Sequence, residues 1–201
     1  MPRSSRCSTD LRTRRRLPCG HDACVSGGRV DHLVVGSASL DLGVAWVEER
    51  LGVTPIFGGV HDGFGTRNAL VGLGDQYLEV LALDPAQREI ASPLREQVRP
   101  LRVPKLLTLA VARTHLNHPV PMSRVRADGV RIEWELEFTS TPLFFINWKD
   151  TPRPSGLPDG GRITSLSVTT PDPEALRGVE GIVVREGAWQ TEASIDATPL
   201  A

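Results

Sequence analysis

The apolar pattern of the chain begins at Val30. Val30-Asp31-His32-Leu33-Val34-Val35-Gly36 is a short apolar run rich in β-branched residues, which predicts a buried strand. Leu40, Val44, Val47 and Leu51 then recur at the spacing of one helical face. Ser37 and Ser39 offer N-caps, Asp41 suits the first turn and Gly52 the terminus, so a helix is expected over residues 39–51. Short strands are expected at 54–57, 68–73 and 76–83, with residues 58–65 as a glycine-rich loop and Gly74-Asp75 as a turn. Asp84-Pro85 opens a short helical stretch that Pro93, Pro100 and Pro104 limit, so residues 84–104 read as a connector.

The second half predicts strands at 106–112, 120–125, 130–138 and 143–148. The third alternates cleanly, with Ile132, Trp134, Leu136 and Phe138 on one face. Glu133, Glu135 and Glu137 form a row on the other, read as a solvated face rather than a metal-facing surface. Residues 149–161 hold three Pro and three Gly and read as a linker. A strand at 162–169, a short helix opening at Asp172-Pro173-Glu174 and a weak strand at 193–198 complete the chain.

These elements repeat. The strand, cap and helix of 30–52 recur at 162–178, and 106–148 repeats the strand order of 30–83. Each unit reads βαβββ, with one exception: residues 113–119 are too few for the helix expected in the second. Losing that helix would bare one sheet face. An unusual apolar patch is therefore expected there, unless a homodimer or the tail covers it.

Composition sharpens the division. The 201 residues carry a net charge of −1, but residues 1–29 hold seven Arg against two Asp, while 30–201 carry 16 bases and 22 acids. The basic stretch has no apolar periodicity and no hydrophobic region after its charges, so a disordered extension is expected. A nucleic-acid-binding arm and a transit peptide are the alternatives. The acidic remainder argues against nucleic acid as its partner, and no apolar run is long enough to span a membrane. Arg outnumbers Lys 21 to 2 and Gly and Pro total 35, which suits a GC-rich bacterial genome. Cys7, Cys19 and Cys24 all lie in the tail, and their spacing matches no common zinc site. The remainder has no Cys, so a reducing, cytoplasmic compartment is expected.

Several stretches together point to a family. They are residues 30–36, Trp46-Val47-Glu48-Glu49-Arg50-Leu51-Gly52, residues 61–70 (HDGFGTRNAL), Tyr77-Leu78-Glu79, and Pro121-Met122-Ser123-Arg124 with Asp128-Gly129. In order and spacing they resemble the glyoxalase-like domain of the vicinal oxygen chelate superfamily, which includes glyoxalases, bleomycin resistance proteins and dioxygenases. The resemblance covers residues 30–198. It implies an α+β fold of paired βαβββ modules, a curved mixed sheet around a cavity. Module one would span 30–83, module two 105–148, and a third, partial module 162–201.

The resemblance also implies ligands on the first and last strand of each module. His32 and Glu79 match the metal-binding positions of module one, and would hold a divalent metal (Zn, Ni, Fe or Mn) with Glu79 also catalytic. Laid against them, module two offers only Thr108 and Asn147, which are weak ligands. His61, Asn68, Thr108, Arg124, Asn147 and Trp148 are expected around a small-molecule pocket, Arg124 as a carboxylate clamp. Read from the residues alone, His32 also suits a hydrogen-bonded strand histidine, Glu79 a rim carboxylate and His61 an exposed loop residue. If His32 and Glu79 face one cavity, a proton-transfer pair needs no metal. Three roles stay open: a metal-dependent lyase, isomerase or dioxygenase for an oxygen-chelating substrate, a drug-sequestering binder, and an inactive degenerate copy.

Overall fold

A computed structural model describes residues 27–126 and 128–200. The readings of the basic tail and its cysteines lie outside the described residues. Among the described residues, no helix is long and apolar enough to cross a membrane.

Module one consists of β1 (Arg29–Ser37), α1 (Leu40–Leu51), β2 (Ile56–His61), β3 (Thr66–Leu73) and β4 (Gln76–Leu83). β1 lies parallel to β4, and β3 pairs antiparallel with both β4 and β2. α1 packs Leu40, Gly43 and Val47 against the sheet. It ends at Gly52, whose φ of 68° is left-handed and whose N–H donates to Glu48 O at 2.8 Å.

Module two repeats the plan without the helix: β5 (Lys105–Ala112), β6 (Val120–Val125), β7 (Arg131–Phe138) and β8 (Phe144–Asn147). β5 is parallel to β8 and antiparallel to β1. The eight strands close into a barrel in the order β1-β4-β3-β2-β6-β7-β8-β5. Its two module junctions differ. β1 and β5 pair along nearly their whole length, whereas β2 and β6 meet only through Val60–Val125 and His61–Arg124.

Four local expectations are corrected. The segment 58–65 is not all loop, because β2 runs through Gly58 and Gly59 to His61, with an irregularity between Phe57 and Gly59. In the connector Pro93 starts a helix rather than limiting one. It opens α2 (Pro93–Val98), whose N-cap Ser92 accepts from Arg95 N, while Asp84-Pro85 opens only a single 3-10 turn. The stretch 149–161 is no free linker, since Gly72 exchanges hydrogen bonds with Pro158 and Gly160. A strand, β10 (Val183–Glu186), also forms where none is expected.

The expected bare face of module two is covered. The carboxy-terminal unit, β9 (Ile163–Thr170), a 3-10 turn, β10, β11 (Gln190–Ile195) and β12 (Thr198–Pro199), makes a second sheet in the order β10-β9-β11-β12. Its Leu166, Val168, Leu176, Ala193, Ile195 and Leu200 share one apolar core with Leu109, Val111, Leu143 and Phe145 of the barrel exterior. Trp189 Nε1 donates to Leu107 O at 3.1 Å, and Arg113 donates to Ala175 O at 2.8 Å. The third unit therefore stands where the missing helix would pack. A second core, including Val34, Ala110, Met122, Trp134, Leu136, Phe144 and Ile146, fills the barrel interior.

Candidate active site

The polar side chains of the barrel interior come mostly from module one. His32 on β1 is 2% exposed and stands in register with Tyr77, whose ring stacks on the imidazole at 4.4 Å between centroids. The β1–β5 register skips Asp31, leaving it unpaired between Val30 and His32. Such a bulge re-aims a side chain. Asp31 Oδ1 lies 2.8 Å from His32 Nδ1, while Asp31 Oδ2 accepts from Trp148 Nε1 at 3.1 Å and pairs with Arg153 Nε at 2.9 Å. Fixing Nδ1 in this way leaves His32 Nε2 facing Glu79 Oε2 at 3.4 Å.

The other carboxylate oxygen continues the network. Glu79 Oε1 accepts from Asn68 Nδ2 and lies 3.6 Å from His61 Nε2. Asn68 Oδ1 accepts from the Arg124 guanidinium at 3.1 Å. A carboxylate only accepts and a guanidinium only donates, so the Asn68 amide has one permitted orientation. Its Nδ2 also lies 3.1 Å from His61 Nε2, which must then be the unprotonated nitrogen. His61 Nδ1–H consequently donates to Thr66 Oγ1, at 2.9 Å.

The two histidines are driven apart electrically. Burial works against protonation of His32, but the hydrogen bonds and charges of Asp31 and Glu79 outweigh it and raise its pKa. Burial dominates at His61, and Arg124 and His32 add to it against Glu79, so His61 falls to about 4. Burial would raise Glu79, yet the His32 hydrogen bond and charge, with His61 and Asn68, lower it to about 2. Asp31 is likewise held below its usual range, as His32, Arg153 and Trp148 overcome its desolvation. Asp31 and Glu79 thus favour the charged form of His32, while burial favours the neutral form of His61.

His32, His61, Asn68, Tyr77, Glu79 and Arg124 line a cavity of about 30 Å³. Its remaining wall is apolar, with Leu94 of α2 and Met122, Trp134, Leu136, Phe144, Ile146 and Trp148. Of the expected pocket residues, His61, Asn68, Arg124 and Trp148 line it together with His32 and Glu79. His61 is a buried strand-end residue, not an exposed loop residue.

Thr108 and Asn147 do not line the cavity. The Thr108 hydroxyl donates to Leu109 O at 3.3 Å, and Asn147 bonds Thr114 O and Lys149 N on the barrel exterior. Along β8 the inward positions are Phe144 and Ile146, so the expected alignment was one residue out of register, which reverses the faces of a strand. Sequence reasoning missed the roles of Asp31, Tyr77 and Arg153. Asp31 carried one signal, a charge inside an otherwise apolar strand.

The donor chemistry does not fit a metal ion. Module two presents Phe144 and Ile146 to the cavity, and Arg124 already sets a cation beside Glu79. Asn68 caps the free nitrogen of His61. Among the described residues, no group of three or more His, Cys, Asp or Glu is arranged to hold a metal.

The sequence pattern described as the glyoxalase-like domain matches residues 30–179. The chain belongs to this family. No curated protein matches it. Among solved structures, this glyoxalase-like domain is similar to a hypothetical protein from Staphylococcus aureus, with a TM-score of 0.55 and 13% identity over 81% of this chain and 87% of that one. A methylmalonyl-CoA epimerase from Mycobacterium tuberculosis gives a TM-score of 0.42 and 18% identity over 64% and 91% of the two chains. A mutant 4-hydroxymandelate synthase from Streptomyces coelicolor gives 0.49 and 13% over 75% and 50%. At 13% identity the likeness to the Staphylococcus aureus protein establishes the fold alone.

Proposed function

We propose that this glyoxalase-like domain catalyses metal-independent proton transfer at a carbon next to a carbonyl group in a small acid, an isomerase- or lyase-type reaction. The observation that carries this is the pair of histidines whose Nε2 atoms face the two oxygens of Glu79, with surroundings that push their pKa values in opposite directions. Titratable groups pushed in opposite directions within one site assign an acid and a base. His32 Nε2–H is the acid, directed at the substrate oxygen. His61 Nε2 is the base once the substrate displaces the Asn68 amide. The carbon-bound proton passes to His61, its electron pair forms the C=C bond of an enol, and the carbonyl oxygen takes the proton of His32. Glu79 and Asp31 keep His32 charged, and Arg124 holds the acid's anionic oxygen. The divalent metal that the resemblance implies has no step in this scheme.

The test follows C–H to C–D exchange by proton NMR in D2O for small 2-oxo and 2-hydroxy acids, 2-oxobutyrate first. The expected result is exchange that survives a chelator and falls at least about 100-fold in His61→Gln and in His32→Gln. Exchange abolished by chelator would restore a metal mechanism. The apolar cavity wall favours a second reading, a non-catalytic binder. Acid binding without exchange in any member of the series would establish that instead.

A further inference from the structure

A cavity of about 30 Å³ has room for roughly one water-sized group, so most of any organic ligand must lie elsewhere. A second space begins at the short β2–β6 junction. Beyond the Val60–Val125 pair the two strands stop pairing, and a groove of about 290 Å³ opens between them and the 152–157 loop. Ile56, Phe57, Leu70, Ile132 and Leu157 supply its apolar surface. Phe57 is 49% exposed, which is unusual for a phenylalanine without a partner to cover it.

Arg124 belongs to both spaces, lining the cavity and the groove alike. Its side chain is 95% buried, yet among the described residues it makes no ion pair and its Nε finds no hydrogen-bond partner. Its single side-chain hydrogen-bond partner is the Asn68 amide, which carries no charge, and Glu79, the carboxylate that acts on it, lies outside ion-pair distance. Leaving a buried guanidinium so poorly matched is costly, and an anion would match it. The other groove cations are already engaged, Arg126 by Asp128 and Arg153 by Asp31. Gly58 keeps the approach open: a Cβ there would collide with Asn68 Oδ1 and the Arg124 guanidinium.

We infer that the groove is the subsite for the apolar chain of a carboxylic acid whose carboxylate pairs with Arg124. At about 30 Å³ per group, it accommodates about ten non-hydrogen atoms, the size of an acid of seven or eight carbons. This assignment rests on the role given above to Arg124 as the anion-holding residue, and it adds the substrate class.

Octanoate and propionate are the probes, titrated calorimetrically into the full chain at neutral pH. Octanoate is expected to bind at least tenfold tighter than propionate. Phe57→Ser, a neutral change at a half-exposed position, should cut that advantage, while Arg124→Gln weakens both acids. Equal affinity for the two acids, no octanoate binding, or a full chain-length advantage in Phe57→Ser each overturns the subsite. The proton-exchange assay stands apart from this. Chain-length-dependent binding without exchange sinks the catalytic role and keeps the groove, and exchange without chain-length dependence does the reverse.

Discussion

Modules one and two build one barrel from nearly the same strand plan, and line it with opposite chemistry. β1 to β4 contribute Asp31, His32, His61, Thr66, Asn68 and Glu79, a hydrogen-bonded chain with two carboxylates and two imidazoles. β7 and β8 contribute Trp134, Leu136, Phe144 and Ile146. Module two breaks its pattern on β6, where Arg124 meets His61 across the junction. The difference teaches that a duplicated frame need not duplicate its site. One half carries the titratable network, while the other is apolar and so strengthens each charge interaction it faces. The outer faces differ too: α1 covers module one, whereas a separate sheet covers module two.

The sharpest way to break this comparison is to remove one charge from the polar half. Asp31→Ala leaves a buried His32 and Arg153 without their carboxylate and should cost about 3–5 kcal/mol. Ile146→Val in the apolar half should cost about 0.5–1.5 kcal/mol. Urea unfolding at pH 7 measures both. Equal losses would mean that the polar network contributes no more than ordinary packing.

Acid titration separates the two histidines next. His61 falls from 6.5 to about 4 on folding, so between those values the unfolded chain binds a proton that the native state refuses. Its contribution therefore drops as pH falls from 6.5 to 4, by on the order of 3 kcal/mol. His32 is raised, so its contribution is complete below 6.5 and is lost as pH climbs through its folded value. Glu79 contributes above its ordinary 4.5 and loses that contribution as pH falls towards 2. His61→Gln should flatten the stability profile on the acid side of 6.5, and His32→Gln on the alkaline side. Identical profiles for the two variants would remove the basis for calling one an acid and the other a base.

Replacing Trp189 probes the outer faces. Trp189→Phe keeps most of the ring but deletes the hydrogen bond to Leu107 O, for an expected loss of about 1 kcal/mol in the same unfolding experiment. A neutral result would show that apolar burial alone docks the third unit.

Much of the barrel is legible in the sequence because burial and period agree there. β1, α1, β4, β6 and β7 fall within a residue or two of their expected bounds, since apolar runs, helical spacing or strict alternation mark each one. β2 escaped because Gly58 and Gly59 read as loop, although their small size is what the Arg124 corridor requires. Pro93 reads as a stop because proline ends and begins helices by the same missing N–H. In the site, His32 and Glu79 come from the family resemblance, which points to the first and last strand of a module. Arg153 was not, because its partner Asp31 lies 122 residues away and only the folded loop joins them. Asn147 failed through a one-residue register error that no local pattern corrects.

The smallest effect tests the exterior of module two. Lys149 Nζ lies 2.6 Å from Glu135 Oε1, within the acidic row that alternates with the buried face of β7. The lysine is half exposed, so water screens the pair, and holding two long side chains together costs entropy. Lys149→Ala should change stability by no more than about 1 kcal/mol, with proton exchange and octanoate affinity unaltered. A shift in either functional readout would mean that the acidic row communicates with the cavity across β7. Such an outcome would undo the assignment of proton chemistry to one half of the barrel.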